Sequence, residues 1–194
     1  MTVPFSPDNG LHLLREAGAY LTGHFLLTTG RHSDQFFLFA RLTERPDLLA
    51  PWTDELARRL APLGVKTVIG PAVGGIIPAF AVAQQWPGSR VLFAEKDGEG
   101  GMRFKRGFHI EPGEPVIIVE DAVTTGSSVA KVVDAVRQVQ GRVAAVGALV
   151  DRSSGALRFA EPLIALLRVD NIPNWDPDEC PLCRQQVPLT RPKS

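Results

Sequence analysis

The residues Val116-Ile117-Ile118-Val119-Glu120-Asp121-Ala122-Val123-Thr124-Thr125-Gly126-Ser127-Ser128 hold the densest chemistry in this 194-residue chain. Four apolar residues in a row read as a strand buried on both faces, and that strand delivers two adjacent carboxylates, Glu120 and Asp121, to its C-terminal end. A Thr-Thr-Gly-Ser turn then opens a helix. Ligands of open α/β sheets bind at that edge, and such a turn offers backbone N–H groups, hydroxyls and the positive end of a helix dipole to a phosphate. Gly126 lets the backbone approach closely. Paired acids beside an anion site would repel the anion, unless the ligand carries both a phosphate and a sugar. The hydroxyls of Thr124, Thr125, Ser127 and Ser128 with their amides then take the phosphate, while Glu120 and Asp121 accept hydrogen bonds from ribose hydroxyls. The same carboxylates suit positive charge developing on a ribose ring. The spacing asks for a phosphorylated ribose; the bland alternative is an acid-ended strand before a capped helix, as in a receiver domain or a dinucleotide-binding fold.

The elements that must position these groups follow from periodicity. Leu11, Leu14 and Ala17 predict a helix over Asp8 to Thr22, and Leu48, Trp52, Leu56 and Leu60 predict another over Asp47 to Ala61, with Pro46 in its first turn. Strands are expected at Thr67 to Ile69, Arg90 to Ala94, Pro115 to Val119, Val143 to Val150 and Leu163 to Val169, with helices at Ile76 to Trp86 and Ser127 to Gln140. Strand and helix alternate, which gives an α/β domain with a largely parallel central sheet flanked by helices. Glu95 to Glu111, with Gly98, Gly100, Gly101 and Gly107 among many charges, has little to bury and is expected to be mobile. From Asn171 onward, five prolines in 24 residues mark an irregular tail. The expected organisation is one domain over 1–170, with N-terminal elements over about 1–45 set apart, and a Pro-rich tail over 171–194.

Composition excludes several classes. The 21 basic and 21 acidic side chains give a formal net charge of zero, so the surplus of cations needed to hold a phosphate backbone is missing and no nucleic-acid partner is expected. An apolar fraction of 44% argues against disorder. Residues 67–89 carry no charge, but Gly70, Pro71, Gly74, Gly75, Pro78, Pro87 and Gly88 break the run, so it reads as core and loop, and no membrane partner is expected. Met1 to Phe5 lacks a signal-peptide pattern, and two cysteines close together are no disulfide framework, which together suggest the cytoplasm.

The thirteen-residue segment resembles the phosphoribosyl-pyrophosphate motif of the type I phosphoribosyltransferases. Further segments resemble the orotate branch of that family: Gly23-His24-Phe25-Leu26-Leu27-Thr28-Thr29-Gly30-Arg31-His32-Ser33 with Phe36-Phe37, the Gly70-Pro71-Ala72-Val73-Gly74-Gly75 loop, Lys96-Asp97-Gly98-Glu99-Gly100-Gly101, and Val150-Asp151-Arg152. The resemblance implies the type I phosphoribosyltransferase fold with a small N-terminal hood and a mobile loop. It implies transfer of a phosphoribosyl group to orotate, with Mg²⁺ held mainly by the substrate, and a homodimer with shared sites. It also implies roles: Lys96, Glu120 and Asp121 in catalysis; Ala72, Val73, Gly74 and Glu120 to Ser128, including Ala122 and Val123, around phosphoribosyl pyrophosphate; Thr124, Arg152, Phe36 and Phe37 around orotate. The chain departs from that pattern at Thr28 and at Val73-Gly74, where the family carries basic or aromatic residues, and it has fewer basic residues ahead of Lys96. Arg103, Lys105 and Arg106 are candidates to replace those charges. The alternatives are a phosphoribosyltransferase for another base, or a regulator of the same fold that senses phosphoribosyl pyrophosphate.

Cys180-Pro-Leu-Cys183 is half of a zinc site, and a tetrahedral site needs four ligands. No second cysteine pair exists, and His12, His24, His32 and His109 are distant in sequence, so free thiols packed in the tail are expected, with a metal or an oxidised pair as alternatives. His32 and His109 are expected to be loop residues rather than catalytic bases.

Overall fold

In the computed structural model, which describes residues 5–157 and 159–192, the chain opens with α1 (Pro7–Glu16). Ser6 and Asn9 cap its start reciprocally, the Ser6 N–H donating to Asn9 Oδ1 at 2.8 Å. The helix stops at Glu16, earlier than its periodicity predicts, because Gly18 takes a left-handed φ of +67° and the Gly18 and Ala19 amides turn back to the carbonyls of Arg15 and Leu14. Residues 20–22 therefore belong to a strand. That strand, β1 (Tyr20–Leu26), pairs antiparallel with β2 (His32–Phe37), with a register shift between Thr22 and Phe25.

After α2 (Ala40–Thr43) come α3 (Pro46–Leu60), β3 (Thr67–Pro71), α4 (Ile76–Gln84), β4 (Arg90–Lys96), β5 (Met102–Phe104), β6 (Pro115–Val123), α5 (Ser127–Gln138), β7 (Arg142–Asp151) and β8 (Leu163–Arg168). The six-stranded sheet has the order β5-β4-β3-β6-β7-β8, and all neighbours are parallel except β4 and β5. The helices cover both faces, as a parallel sheet requires. Alternation along β6 divides the core in two. Ile117 and Val119 face Trp52, Leu56, Leu60 and Val82 of α3 and α4, while Val116 and Ile118 face Val129, Val132, Val133 and Val136 of α5. Each such side chain, fully buried, contributes about 1.5–3 kcal/mol relative to exposure.

From β3 the chain moves to β4 on one side, and from β6 it moves to β7 and β8 on the other. The order thus reverses between β3 and β6, and their carboxyl ends form the crevice where ligands of such sheets bind. Above that edge sits the β1–β2 hairpin, the expected hood.

The segment from Glu95 to Glu111, in which sequence marks no element, holds one: β4 runs on to Lys96 and pairs with β5, leaving a tight turn over 97–101. Asp97 Oδ1 closes that turn by accepting from the amides of Glu99 at 2.7 Å and Gly101 at 2.9 Å. The tail, though irregular, is tied to the hood rather than loose. Trp175 and His32 exchange backbone hydrogen bonds at 2.8 Å each, Thr190 does the same with Leu26 and His24, and Ser33 Oγ donates to Pro173 O at 2.6 Å. A short helix, α6 (Pro181–Arg184), lies between those two seams.

Candidate active site

β6 carries Glu120 and Asp121 to the crevice, and the next turn of chain wraps an open cavity of about 150 Å³ lined by Glu120 and by Ala122 to Val129. Helix α5 points its N-terminus into this cavity. Its N-cap is Gly126, at φ +72°; apart from a long contact of 3.4 Å from the Ser127 amide to Thr125 Oγ1, the first-turn N–H groups have no intrahelical acceptor and are suited to an anion. Glycine is required there twice over. A left-handed φ disfavours any side chain, and a Cβ would come within 2.8 Å of Phe159 and 2.9 Å of Leu157.

The two acids are close and largely enclosed. Burial, reinforced by the neighbouring Asp121 carboxylate, pushes Glu120 up to about 8, and burial raises Asp121 as well. Asp121 Oδ1 accepts from the Ala122 amide at 2.6 Å, and Glu120 Oε1 accepts from the Asp121 amide at 3.2 Å. Among the described residues no cation pairs with either. The buried acids therefore await hydroxyl donors or a cation brought by a ligand. On the β3 side, the loop after Pro71 lies directly against them: a Cβ on Gly74 would sit 2.7 Å from Asp121 Oδ2, and the Ala72–Val73 peptide is cis. The Ala72–Val73–Gly74 loop thus comes up to the acids at Gly74.

Arg152 follows the end of β7, and its amide donates to Val123 O at 2.8 Å, which places it beside the cavity wall. Its guanidinium lies over the Phe37 ring at 4.3 Å, and its buried Nε has no hydrogen-bond partner. Burial lowers its pKa, although a guanidinium stays charged at neutral pH. A charged fork stacked on an aromatic ring is a chemistry that suits a planar anionic group.

The phenylalanine pair is separated by strand alternation. Phe37 faces Arg152, whereas Phe36 turns to Phe25 and lines a second cavity of about 370 Å³ with Thr28, Gly30 and Arg191. The Arg152 guanidinium thus stacks on the Phe37 ring, and the Phe36 ring turns to Phe25. Arg31, in the same signature, is used by the tail: it donates to Asn174 Oδ1 at 2.6 Å and to Asp176 Oδ1 at 2.7 Å.

Lys96 ends β4 on the same sheet edge, exposed and without an ion pair among the described residues, but it does not line the Glu120–Val129 cavity. Of the neighbouring cations, Arg106 is held by Glu95 at 3.0 Å and Lys105 donates to Lys96 O at 3.0 Å. His109 is exposed beside Glu111, as a loop residue should be. His32 differs from expectation, since it is a buried strand residue that faces His24 and the two cysteines. Sequence distance concealed this, and only hairpin pairing and the returning tail could have revealed it.

A largely parallel sheet covered on both faces, with an acid pair and a helix N-terminus around one crevice, fits a phosphoribosyltransferase, and residues 49–181 match the phosphoribosyl transferase domain family. The chain is 46% identical over 187 residues to the orotate phosphoribosyltransferase of Pelotomaculum thermopropionicum, covering 96% of this chain and 97% of that one. It is 42% identical over 182 residues to that of Thermotoga maritima, covering 94% and 96%. The crystal structure of orotate phosphoribosyltransferase from Aeropyrum pernix superposes with a TM-score of 0.67 at 26% identity, over 81% of this chain and 92% of that one. An adenine phosphoribosyltransferase from Rhodothermus marinus, at 17% identity and a TM-score of 0.63 over 84% of this chain and 99% of that one, shares the fold. The chain belongs to the orotate phosphoribosyltransferases of the type I phosphoribosyltransferase family.

Proposed function

We propose that the chain joins orotate to the 5-phosphoribosyl group of phosphoribosyl pyrophosphate, giving orotidine 5′-phosphate and pyrophosphate, the step that commits orotate to UMP. The N1–C1′ bond forms, the bond from C1′ to the pyrophosphate oxygen breaks, and the N1 proton is lost. The observation that carries this reading is Arg152, stacked on Phe37 with a buried donor unused. It suits the carboxylate of orotate, with which it can form a charge-assisted pair, whereas neutral bases offer it only uncharged acceptors. That contrast sets the orotate reading above a purine-transferring one.

The amides and hydroxyls of Thr124 to Ser128 hold the 5′-phosphate, and Glu120 and Asp121 hold the ribose hydroxyls. As the C1′–O bond stretches, the ring gains positive charge, and the acid pair stabilises it once contacts to the bound substrate offset the burial that keeps Glu120 protonated in the free chain. Residues Ala72 to Gly74 and Lys96, at the end of β4, receive the pyrophosphate, Lys96 acting from the partner subunit of a homodimer. Magnesium supplies charge neutralisation of the diphosphate when bound. Substrate oxygens provide most of its ligands, and the enclosed acids Glu120 and Asp121, which lack any cation of their own, are the residues of this chain that fit beside it. The chain acts in the cytoplasm in this reading, and no described helix is long and apolar enough to cross a membrane.

Arg152→Ala tests the assignment. The orotate KM rises by one to two orders of magnitude while that for phosphoribosyl pyrophosphate changes little, as judged by saturation curves in each substrate. Equal effects on both would remove Arg152 from the base pocket.

A further inference from the structure

Four side chains that the phosphoribosyl reaction does not use meet in one place. His24 and His32 come from the β1–β2 hairpin, Cys180 and Cys183 from α6 and the residue before it, and their ligating atoms all lie within 4.8 Å of one another. We propose that these four residues form a tetrahedral structural zinc site that fastens the C-terminal tail to the hood.

The distances fit. Zinc bonds of about 2.0–2.1 Å to nitrogen and about 2.3 Å to sulfur set tetrahedral edges of about 3.3–3.8 Å. The His24 Nε2–His32 Nδ1 separation is 3.0 Å, Cys183 Sγ lies 3.3 Å from His32 Nδ1 and 3.7 Å from His24 Nε2, and Cys180 Sγ lies 3.4 Å from His24 Nε2. Small outward movements would seat an ion among them. The orientation of His24 fits as well. Its Nδ1 donates to Val187 O at 2.8 Å, which fixes the tautomer and turns the Nε2 lone pair inward, the arrangement that a backbone carbonyl gives a metal-bound imidazole.

The donor set selects the metal. Two thiolates and two imidazoles, with no carboxylate, suit zinc and disfavour magnesium or calcium. Four protein ligands leave no open position, so the site is structural. His24, His32 and Cys180 are 2%, 5% and 0% exposed, while Cys183 closes the cluster on the solvent side. A disulfide between the two cysteines would leave both buried imidazoles unexplained. Residues 156 positions apart are brought together here, between the two backbone seams that already join tail and hood. An ion would lock that join, and with it the strand that carries Phe37 under Arg152.

The test uses the full chain, refolded or expressed with zinc and desalted. Mass spectrometry of the metal content should give one zinc per chain, and cobalt in its place should give the intense visible bands of a tetrahedral thiolate site. Chelation should lower Tm and open residues 171–192 to proteolysis. Cys183→Ser, at the most exposed ligand, should lower the zinc content and roughly halve or abolish the cobalt–thiolate absorption, and Cys183→His should keep stoichiometric zinc. A desalted wild-type chain that holds no zinc and shows no thiolate-to-cobalt absorption would overturn the proposal, whatever the variants do. So would a Cys183→Ser chain with unchanged zinc content.

Discussion

At the scale of single residues, Glu120 is the most perturbed group. Burial and Asp121 hold it neutral to about 8 in the folded chain, whereas an unfolded glutamate ionises near 4.5. Between those values the unfolded state binds fewer protons, so stability of the ligand-free chain falls as pH rises through that window. Glu120→Gln should flatten this decline and stabilise the free chain by about 1–3 kcal/mol above pH 8, while turnover falls. Thermal melts from pH 5 to 9 check it, and identical slopes for both chains would refute the burial argument. The trade is the usual one for a site that must meet charge in its transition state. The acid pair and the Thr-Thr-Gly turn were legible from residue type and spacing, whereas Arg152 was legible only through the resemblance to the family. The stacking of Arg152 on Phe37, and the loss of Phe36 to the other face, were not, because adjacent aromatics in a strand give no sign of which one faces the ligand.

At the scale of elements, the junction of β6 and α5 is the critical one. Its glycine sits in a left-handed conformation against Phe159 and Leu157. Gly126→Ala should cost about 1–2 kcal/mol from the conformation alone, lower Tm, and raise the KM for phosphoribosyl pyrophosphate more than that for orotate. A melt with two saturation curves decides, and an unchanged phosphoribosyl pyrophosphate KM would contradict a phosphate held by this turn. Strands and helices of the central sheet were readable because each has one uniform hydrophobic period. The hood was not. The predicted first helix overran into β1 because Leu21 keeps a helical spacing by accident, and Gly18, which ends the helix, is a weak signal by itself. The Glu95–Glu111 segment misled for the opposite reason: its charges looked unstructured, yet β4 and β5 pair through backbone groups that composition does not report.

At the scale of the whole molecule, neutrality acquires a mechanism. In the proposed reading the chain meets a polyanionic substrate with amides, hydroxyls and a helix end rather than with surplus cations, and many of the described arginines pair with carboxylates of the chain itself. An exposed apolar strip, Val73 at 81%, Ile77 at 47% and Phe80 at 58%, runs from the β3 loop along α4. It suits the proposed homodimer, in which Lys96 crosses to the neighbouring site. Phe80→Glu should shift the protein to monomer in light scattering and reduce turnover, and a dimer that survives would place the interface elsewhere.

The central claim is the choice of base, and the most direct measurement is pyrophosphate release from phosphoribosyl pyrophosphate and Mg²⁺ in the presence of orotate, uracil, adenine or hypoxanthine. The Arg152–Phe37 pocket predicts release with orotate at a kcat/KM at least a hundredfold above any neutral base. Release with uracil or a purine, and none with orotate, would contradict it while leaving the phosphoribosyl site intact.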